Sequence, residues 1–481
     1  MKGVAPGTQG SRRGLNSAAP DGLQNRSRNT ALHQRKPSHA PSDHLFPGWE
    51  TSSSCPVLRS LMRILLVHNY YQQQGGEDVV FEQERKLLAS HGHQVVTYER
   101  KNSELLSYSG FQRLFLPAKT IWARDAYSEI LDLIRRERPR IAHVHNTFVQ
   151  VSPSVFAACR EVGVPVVHTL HNFRLICPAA NLFREGRVCE DCLESGLWQG
   201  VRHSCYRGSF AATAATAFML AVHRAARTWS DGVTGYIALT EFSKRKFVGA
   251  GLPREKIYVK PNFVTPDPGP KEDFGDFAVY VGRLSPEKGV KTLLHAWRQL
   301  RTSIPLQIIG EGPLRRELER MVSQCKLSNV VFAGRLSSEE TRSRIRRARL
   351  LVLPSECYEN FPMTVVEAFS CGTPVICSRL GAMQEIVNDH ANGLHFTPGK
   401  PEELARTLEW AWSNPRRLQA LGKAARRDYE QKYTAEHNYN ALMAIYERVM
   451  GLPMGGCRLP IGVWSGDRQQ GAANRNDPPQ L

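Results

Sequence analysis

The chain has 481 residues, 41% hydrophobic and 9% aromatic, which is ordinary for a globular protein and suggests two domains of about 200 residues each. A formal net charge of +18 admits a nucleic-acid partner, an anionic membrane surface or a phosphorylated substrate. No run reaches the roughly 18 to 20 apolar residues of a membrane span, and the richest, 211-AATAATAFMLAV-222, reads as a buried helix.

In chain order, residues 1–60 lack an apolar signal core, are rich in Ser, Pro, Gly, Arg and Asn, and are expected to be a disordered extension. Met62 opens the first strand-like run and is the expected start of the native protein. Short apolar runs follow at 62-MRILLV, 93-HQVVTYE, 141-IAHVH, 164-VPVVHTL and 233-VTGYIAL. Helical patterns such as 77-EDVVFEQERKLLAS and 126-AYSEILDLIRRER lie between them. The stretch 111-FQRLFLPAKTIWARDAY mixes aromatics with cations. It suits contact with a membrane or a lipid-linked acceptor, or else an ordinary core-covering helix broken at Pro117.

The linker 261-PNFVTPDPGPKEDFGD marks a boundary. Beyond it come 278-AVYVG, 305-PLQIIG, 329-NVVFAG, 350-LLVLP, 374-PVICS and 393-GLHF, alternating with helices such as 289-GVKTLLHAWRQLR and 401-PEELARTLEWAWS. The pattern 434–452 is amphipathic and should pack back across the junction, and 454–481 reads as a disordered tail. The fold class is therefore α/β: two doubly wound, Rossmann-like parallel sheets over 62–262 and 275–433. Ligands bind such sheets at the carboxyl ends of the strands, so the cleft between the domains is the expected site.

The loops after the second-half strands carry the chemistry. In 282-GRLSPEKG-289, Gly282 ends a strand, and Arg283 and Lys288 could converge on a diphosphate beside a helix N-terminus; a solvated turn is the plainer alternative. In 309-IGEGPL-314, Gly310 and Gly312 either let backbone approach a ligand or close a tight turn. In 354-PSECYENFPMTVVEAFSCGTPV-375, Glu359 sits in a loop and Glu367 about one and a half turns into the following helix. Carboxylates with no lysine nearby in sequence suit sugar hydroxyls, so the pair fits a ligand with hydroxyls at both ends.

The set GRLSPEKG, IGEGP, FAG, E-x7-E and EAFSCGTPV, in this order, resembles the nucleotide-sugar domain of retaining GT-B glycosyltransferases of family GT4. The likeness implies a GT-B fold in which Arg283 and Lys288 bind the donor diphosphate, Glu359 the transferred sugar and Glu367 the ribose. It brings the backbone at Asn360 and Phe361 against sugar and phosphate. It also matches 74-QGGED-78, where Gly75 and Gly76 would lie beneath the donor phosphates, with a plain helix-start turn as the alternative. The active-site histidine matches His171; His168 should be interior to its strand, and His145 should face the acceptor. One departure is Asn360, where glycine is usual. Asn tolerates a left-handed backbone, so the turn should survive, with an altered choice of sugar.

Four of the eleven cysteines, Cys177, Cys189, Cys192 and Cys205, fall within an insertion over 172–207 that the family pattern does not supply. Their C-x2-C knuckle with two outer cysteines fits structural zinc held by four thiolates; partial disulfides, an iron–sulfur cluster and His203 as a substitute ligand are the alternatives. The remaining thiols should be reduced, as in a cytoplasmic protein.

The function implied is transfer of a sugar from a UDP- or GDP-linked donor to a glycan, lipid-linked or small-molecule acceptor, in polysaccharide or glycoconjugate synthesis. Configuration should be retained, no cofactor is required for catalysis, and the site should be cytoplasmic or peripheral at a membrane. A nucleotide-sugar epimerase on the same fold is the alternative, and a zinc-stapled nucleic-acid-binding protein a weaker one. Residues 1–60 carry eight Lys/Arg against three Asp/Glu, and no aromatic-basic recognition motif accompanies them, so no nucleic-acid partner is expected.

Overall fold

Continuous runs of Val, Ile and Leu become strands buried on both faces, as parallel sheets require. The computed structural model describes residues 61–452, apart from 73, 74, 272 and 274 and the side chains of 113 and 114. The expected disorder of 1–60 and 454–481 lies outside the described residues.

The first sheet is built from β1 (Arg63–Tyr70), β2 (Gln94–Lys101), β3 (Ile141–Val144) and β4 (Val166–Thr169). After β4 the chain forms a small hairpin, β5 (Phe183–Arg184) and β6 (Arg187–Val188), before returning to the sheet as β7 (Gly235–Ala238) and β8 (Ile257–Val259). All six strands of this sheet are parallel, in the order β2-β1-β3-β4-β7-β8. The second sheet comprises β9 (Ala278–Val281), β10 (Leu306–Ile309), β11 (Val330–Gly334), β12 (Leu350–Leu353), β13 (Val375–Ser378) and β14 (Gly393–Phe396). Its parallel order is β11-β10-β9-β12-β13-β14, with β9 at the reversal of strand order.

Every strand expected from the apolar runs forms. The sequence reading missed β8, an edge strand of three residues, and the hairpin β5–β6. Helices begin where capping chemistry allows: Thr240 and Ser337 each accept from the backbone amide three residues on, at 3.1 Å and 3.2 Å. The stretch 211–222, read as a buried helix, lies in the helix Phe210–Ala225, which is buried on one face only, since Phe210 and Phe218 remain exposed. Around Pro117 the stretch breaks into helices Gly110–Leu114 and Leu116–Ile121.

The helix Ala435–Val449 crosses back to the first domain, as its amphipathic pattern suggested. Tyr439 stacks on His91 with ring centroids 3.6 Å apart. His143 of β3 lies 2.7 Å from the Tyr446 hydroxyl, and Lys260 donates to Asn438 at 3.2 Å. One apolar cluster runs from Ile64, Leu66 and Phe81 through Leu442 and Tyr446 to Val365 and Phe369, so the two sheets share a core seam at their junction.

Candidate functional site

Several loops meet at the carboxyl ends of both sheets. After β9, Pro286–Lys288 forms a single helical turn ended by Gly289 in the left-handed region (φ 66°). A Cβ at Gly289 would stand 1.9 Å from the Pro354 carbonyl oxygen, so only glycine lets this loop lie against the one after β12. That packing brings Lys288 Nζ to 2.6 Å from Glu359 Oε1, and Ser355 Oγ donates to the same oxygen at 2.6 Å. No lysine lies near Glu359 in sequence, as expected, but Lys288, 71 positions away, is adjacent to it in space. Burial works against both charges, yet the pairing holds Glu359 below the ordinary carboxylate range and Lys288 above the ordinary lysine value. Arg283 is exposed and makes no ion pair among the described residues.

Gly310 and Gly312 serve loop packing. A Cβ at Gly310 (φ 140°) would fall 1.9 Å from the Gly282 carbonyl oxygen, and one at Gly312 2.3 Å from that of Leu284. Leu284 N–H donates to the Glu311 carbonyl at 3.0 Å, tying the two loops together. Glu367 is the fifth residue of the helix Met363–Ser370, where burial raises its pKa against the pull of Arg342.

The first domain supplies the opposing wall. Gly75 caps the helix Gly76–Ser90, and its N–H donates to Asp78 Oδ2 at 2.7 Å. A Cβ on Gly76 would lie 3.9 Å from Met363 Cγ, so the Gly-Gly loop faces the helix that begins just after Phe361. Asn360 is not in the left-handed region, which corrects the turn argument made for it. Instead, its side-chain Nδ2 donates to the Leu170 carbonyl at 2.6 Å, across the cleft. His171 and Glu359 are thus the chain neighbours of a hydrogen-bonded pair.

His171 Nε2 lies 2.9 Å from His145 Nδ1. Burial and neighbouring positive or histidine groups keep both rings well below the ordinary histidine pKa, so both are neutral. His145 is fully buried between His171 and Phe81, so it lies behind the His171 ring rather than at an open surface where an acceptor was expected. His168 is interior, as expected, and burial lowers its pKa to about 3. Beneath the histidines, Lys260 Nζ donates to Glu84 Oε1 at 2.5 Å with both side chains buried. Ligand atoms of Glu84, His143 and His145 lie within 4.8 Å of one another, but the Lys260 ammonium already neutralises Glu84 and would repel a cation.

Two features escaped the sequence reading. Glu77, at the first turn of the Gly-Gly helix, accepts from Asn172 Nδ2 at 3.0 Å; burial and then Asp78 raise its pKa to about 8. A depression of about 470 Å³ beside it is lined by residues including Tyr70, Tyr71, Asp78, Glu99 and Lys101, at the carboxyl ends of β1 and β2. The four inserted cysteines are all free thiols, and no three of their sulfurs lie within 4.8 Å of one another. Burial, reinforced by Cys177, pushes the Cys192 thiol up to about 12.

Comparison with known proteins agrees with this geometry. A family model described as "Glycosyltransferase Family 4" matches residues 74–268, and one described as "Glycosyl transferases group 1" matches 266–428. The O-antigen chain mannosyltransferase C of Escherichia coli is 31% identical over 37% of this chain and 49% of its own length. The 2-deoxystreptamine glucosyltransferase of Streptomyces kanamyceticus is 26% identical over 69% of this chain and 83% of its own. The chain spans about half the length of the first curated relatives it matches. Among solved structures, sucrose-phosphate synthase from Thermosynechococcus elongatus superposes with a TM-score of 0.59 at 18% identity, covering 81% of this chain and 99% of that one. Anabaena HepE in complex with UDP and glucose gives 0.57 at 17% identity, covering 80% and 99%. These likenesses show the fold. The epimerase alternative finds no support among these relatives.

Proposed function

The chain belongs to the group 1 glycosyltransferases of GT-B fold, and on that premise we propose that it moves a sugar from a UDP- or GDP-linked donor to an acceptor hydroxyl with retained configuration. The Lys288–Glu359 contact carries this reading. Both protein donors to Glu359 converge on Oε1, which leaves Oε2 to accept from a sugar hydroxyl. Lys288 stands beside it as a fixed cation for the diphosphate, and Arg283 is free to join. Charge on the leaving phosphate is met by these preorganised groups, with no metal needed there. The bond to the anomeric carbon breaks first, the acceptor enters from the same face, and the departing phosphate takes the acceptor's proton. Neutral His171 borders the transferred sugar, and Glu367 receives the ribose.

The names of the relatives support a glycan or small-molecule acceptor, in line with polysaccharide or glycoconjugate synthesis. Among the described residues no helix is long and apolar enough to cross a membrane. Exposed Phe111 and Phe115 support peripheral contact from the cytoplasmic side with a lipid-linked acceptor.

A thermal-shift panel of nucleotide sugars identifies the donor, because a ligand of the folded state raises the melting temperature. With that donor, Lys288→Ala should lower turnover about a hundredfold or more. Near-normal turnover would refute the assignment.

A further inference from the structure

Behind His171 a line of polar side chains runs back into the first domain. His171 Nε2 lies 2.9 Å from His145 Nδ1, and His145 Nε2 lies 3.4 Å from Glu84 Oε2. Glu84 Oε1 in turn accepts from Lys260 Nζ at 2.5 Å. Asn438, on the helix Ala435–Val449, closes the line. Its Nδ2 donates to the Pro261 carbonyl at 2.8 Å, which leaves Oδ1 to accept from Lys260 at 3.2 Å. The side chains of His145, Glu84 and Lys260 are each at most 1% exposed, so water does not compete for these contacts.

This line decides where the ring protons sit. Burial keeps His145 and His171 neutral, so each ring carries one N–H and one lone pair. Glu84, salt-bridged to Lys260, is a carboxylate and offers only lone pairs. Neither its Oε2 nor His145 Nε2 has any other hydrogen-bond partner. His143 Nδ1 stands farther from that oxygen, at 3.7 Å, and is engaged by the Tyr446 hydroxyl at 2.7 Å. A lone pair on His145 Nε2 would set two buried acceptors against each other, so the His145 proton sits on Nε2. Its Nδ1 is then the acceptor, and the proton between the two rings belongs to His171 Nε2. The rings of His143, His171 and Phe81, with centroids 4.3 Å, 5.1 Å and 5.3 Å away, hold His145 in this orientation. His171 Nδ1 is left bare. It makes no hydrogen bond among the described residues, and His171 is only partly buried, so this lone pair is open to a ligand.

On the reading that His171 borders a transferred sugar, we propose that Glu84 and His145 are positioning residues for the transfer. They hold His171 with its proton on Nε2, so that the Nδ1 lone pair accepts from a hydroxyl of that sugar. The direction of this hydrogen bond matters. As the bond to the anomeric carbon breaks, the sugar gains positive charge and its hydroxyls become stronger donors. An accepting nitrogen therefore holds the transition state more tightly than the resting donor, whereas an N–H there would oppose the growing charge. The bond from Asn360 to the Leu170 carbonyl brings the His171 and Glu359 segments together. One sugar then meets two acceptors, His171 Nδ1 and Glu359 Oε2.

Long-range nitrogen–proton correlation spectra of the full chain, labelled with nitrogen-15 histidine, read the tautomer directly, and His171→Asn identifies the signal. One neutral tautomer is expected, protonated at Nε2 and bare at Nδ1. A proton on Nδ1, a mixture of tautomers or an imidazolium at neutral pH would overturn the proposal. The spectrum needs no substrate, so its failure is distinct from failure of the sugar-transfer reading, which absence of turnover with every nucleotide sugar would reveal. Glu84→Leu combined with Lys260→Met removes the acid and its counter-charge together. In that chain His171 should populate both tautomers and turnover should fall about tenfold, with the affinity for UDP or GDP unchanged. Unchanged turnover, a retained tautomer or an equal loss of nucleotide affinity would overturn the positioning role. Where the paired variant does not fold, His145→Phe keeps the Glu84–Lys260 pair and gives the same readouts.

Discussion

The Asn360 side-chain nitrogen lies 2.6 Å from the Leu170 carbonyl oxygen, and this bond joins the two domains between Glu359 on one side and His171 on the other. Leu170 is buried, so its carbonyl has no ready substitute partner when the amide is removed. Asn360→Gly should weaken the closed state by about 1 kcal/mol, the net worth of one neutral hydrogen bond. That predicts a donor KM raised about fivefold and a larger radius of gyration in solution. Unchanged KM and unchanged radius would show that the contact does not govern closure.

Glu77 predicts a pH effect with a definite sign. Its folded pKa of about 8 exceeds the ordinary 4.5, because burial and then Asp78 disfavour the charged form. The native state therefore holds a proton that the unfolded state releases, and stability falls as pH rises from 4.5 to about 8. Glu77→Gln stays neutral throughout. Urea midpoints at the two ends of this window should drop further for the wild type than for the variant, and equal drops would discard the shift.

The buried pair Glu84–Lys260 should behave non-additively. Removing either partner strands the other, so Glu84→Gln or Lys260→Met alone should cost about 3–5 kcal/mol. The double variant should recover most of that loss, because no uncompensated charge remains. Urea denaturation of the three proteins measures the cycle. Additive losses would mean that the two side chains do not depend on each other.

Local order was legible in the chain. Runs such as LLVLP and PVICS can hardly be anything but buried strands, and a Ser-Pro turn or an Asn-Phe-Pro loop announces where each strand ends. What the residues could not announce is which loop lies against which. Lys288 and Glu359 are 71 positions apart, Glu190 and Tyr358 are 168, and Asn360 and Leu170 are 190. Each of these meetings depends on how the two sheets face each other, which no local propensity encodes. Gly310 and Gly312 are instructive for the same reason: glycine before a helix suggests room for a ligand, whereas here the space is filled by the neighbouring loop's backbone. Asn360 misled in the opposite sense, since an argument from backbone freedom overlooked what its side chain could reach. Glu77 carried no signal, because an acid in a first turn is normally solvated and only tertiary burial changes its titration.

The returning helix has a consequence for biosynthesis. His143 waits for Tyr446, and Lys260 for Asn438, so the domain translated first depends on residues made 303 and 178 positions later. On the ribosome its sheet can assemble early, but a polar cavity at its back stays open until the final helix emerges. A chain stalled before that helix would expose a wet seam beside finished strands, the kind of surface chaperones hold.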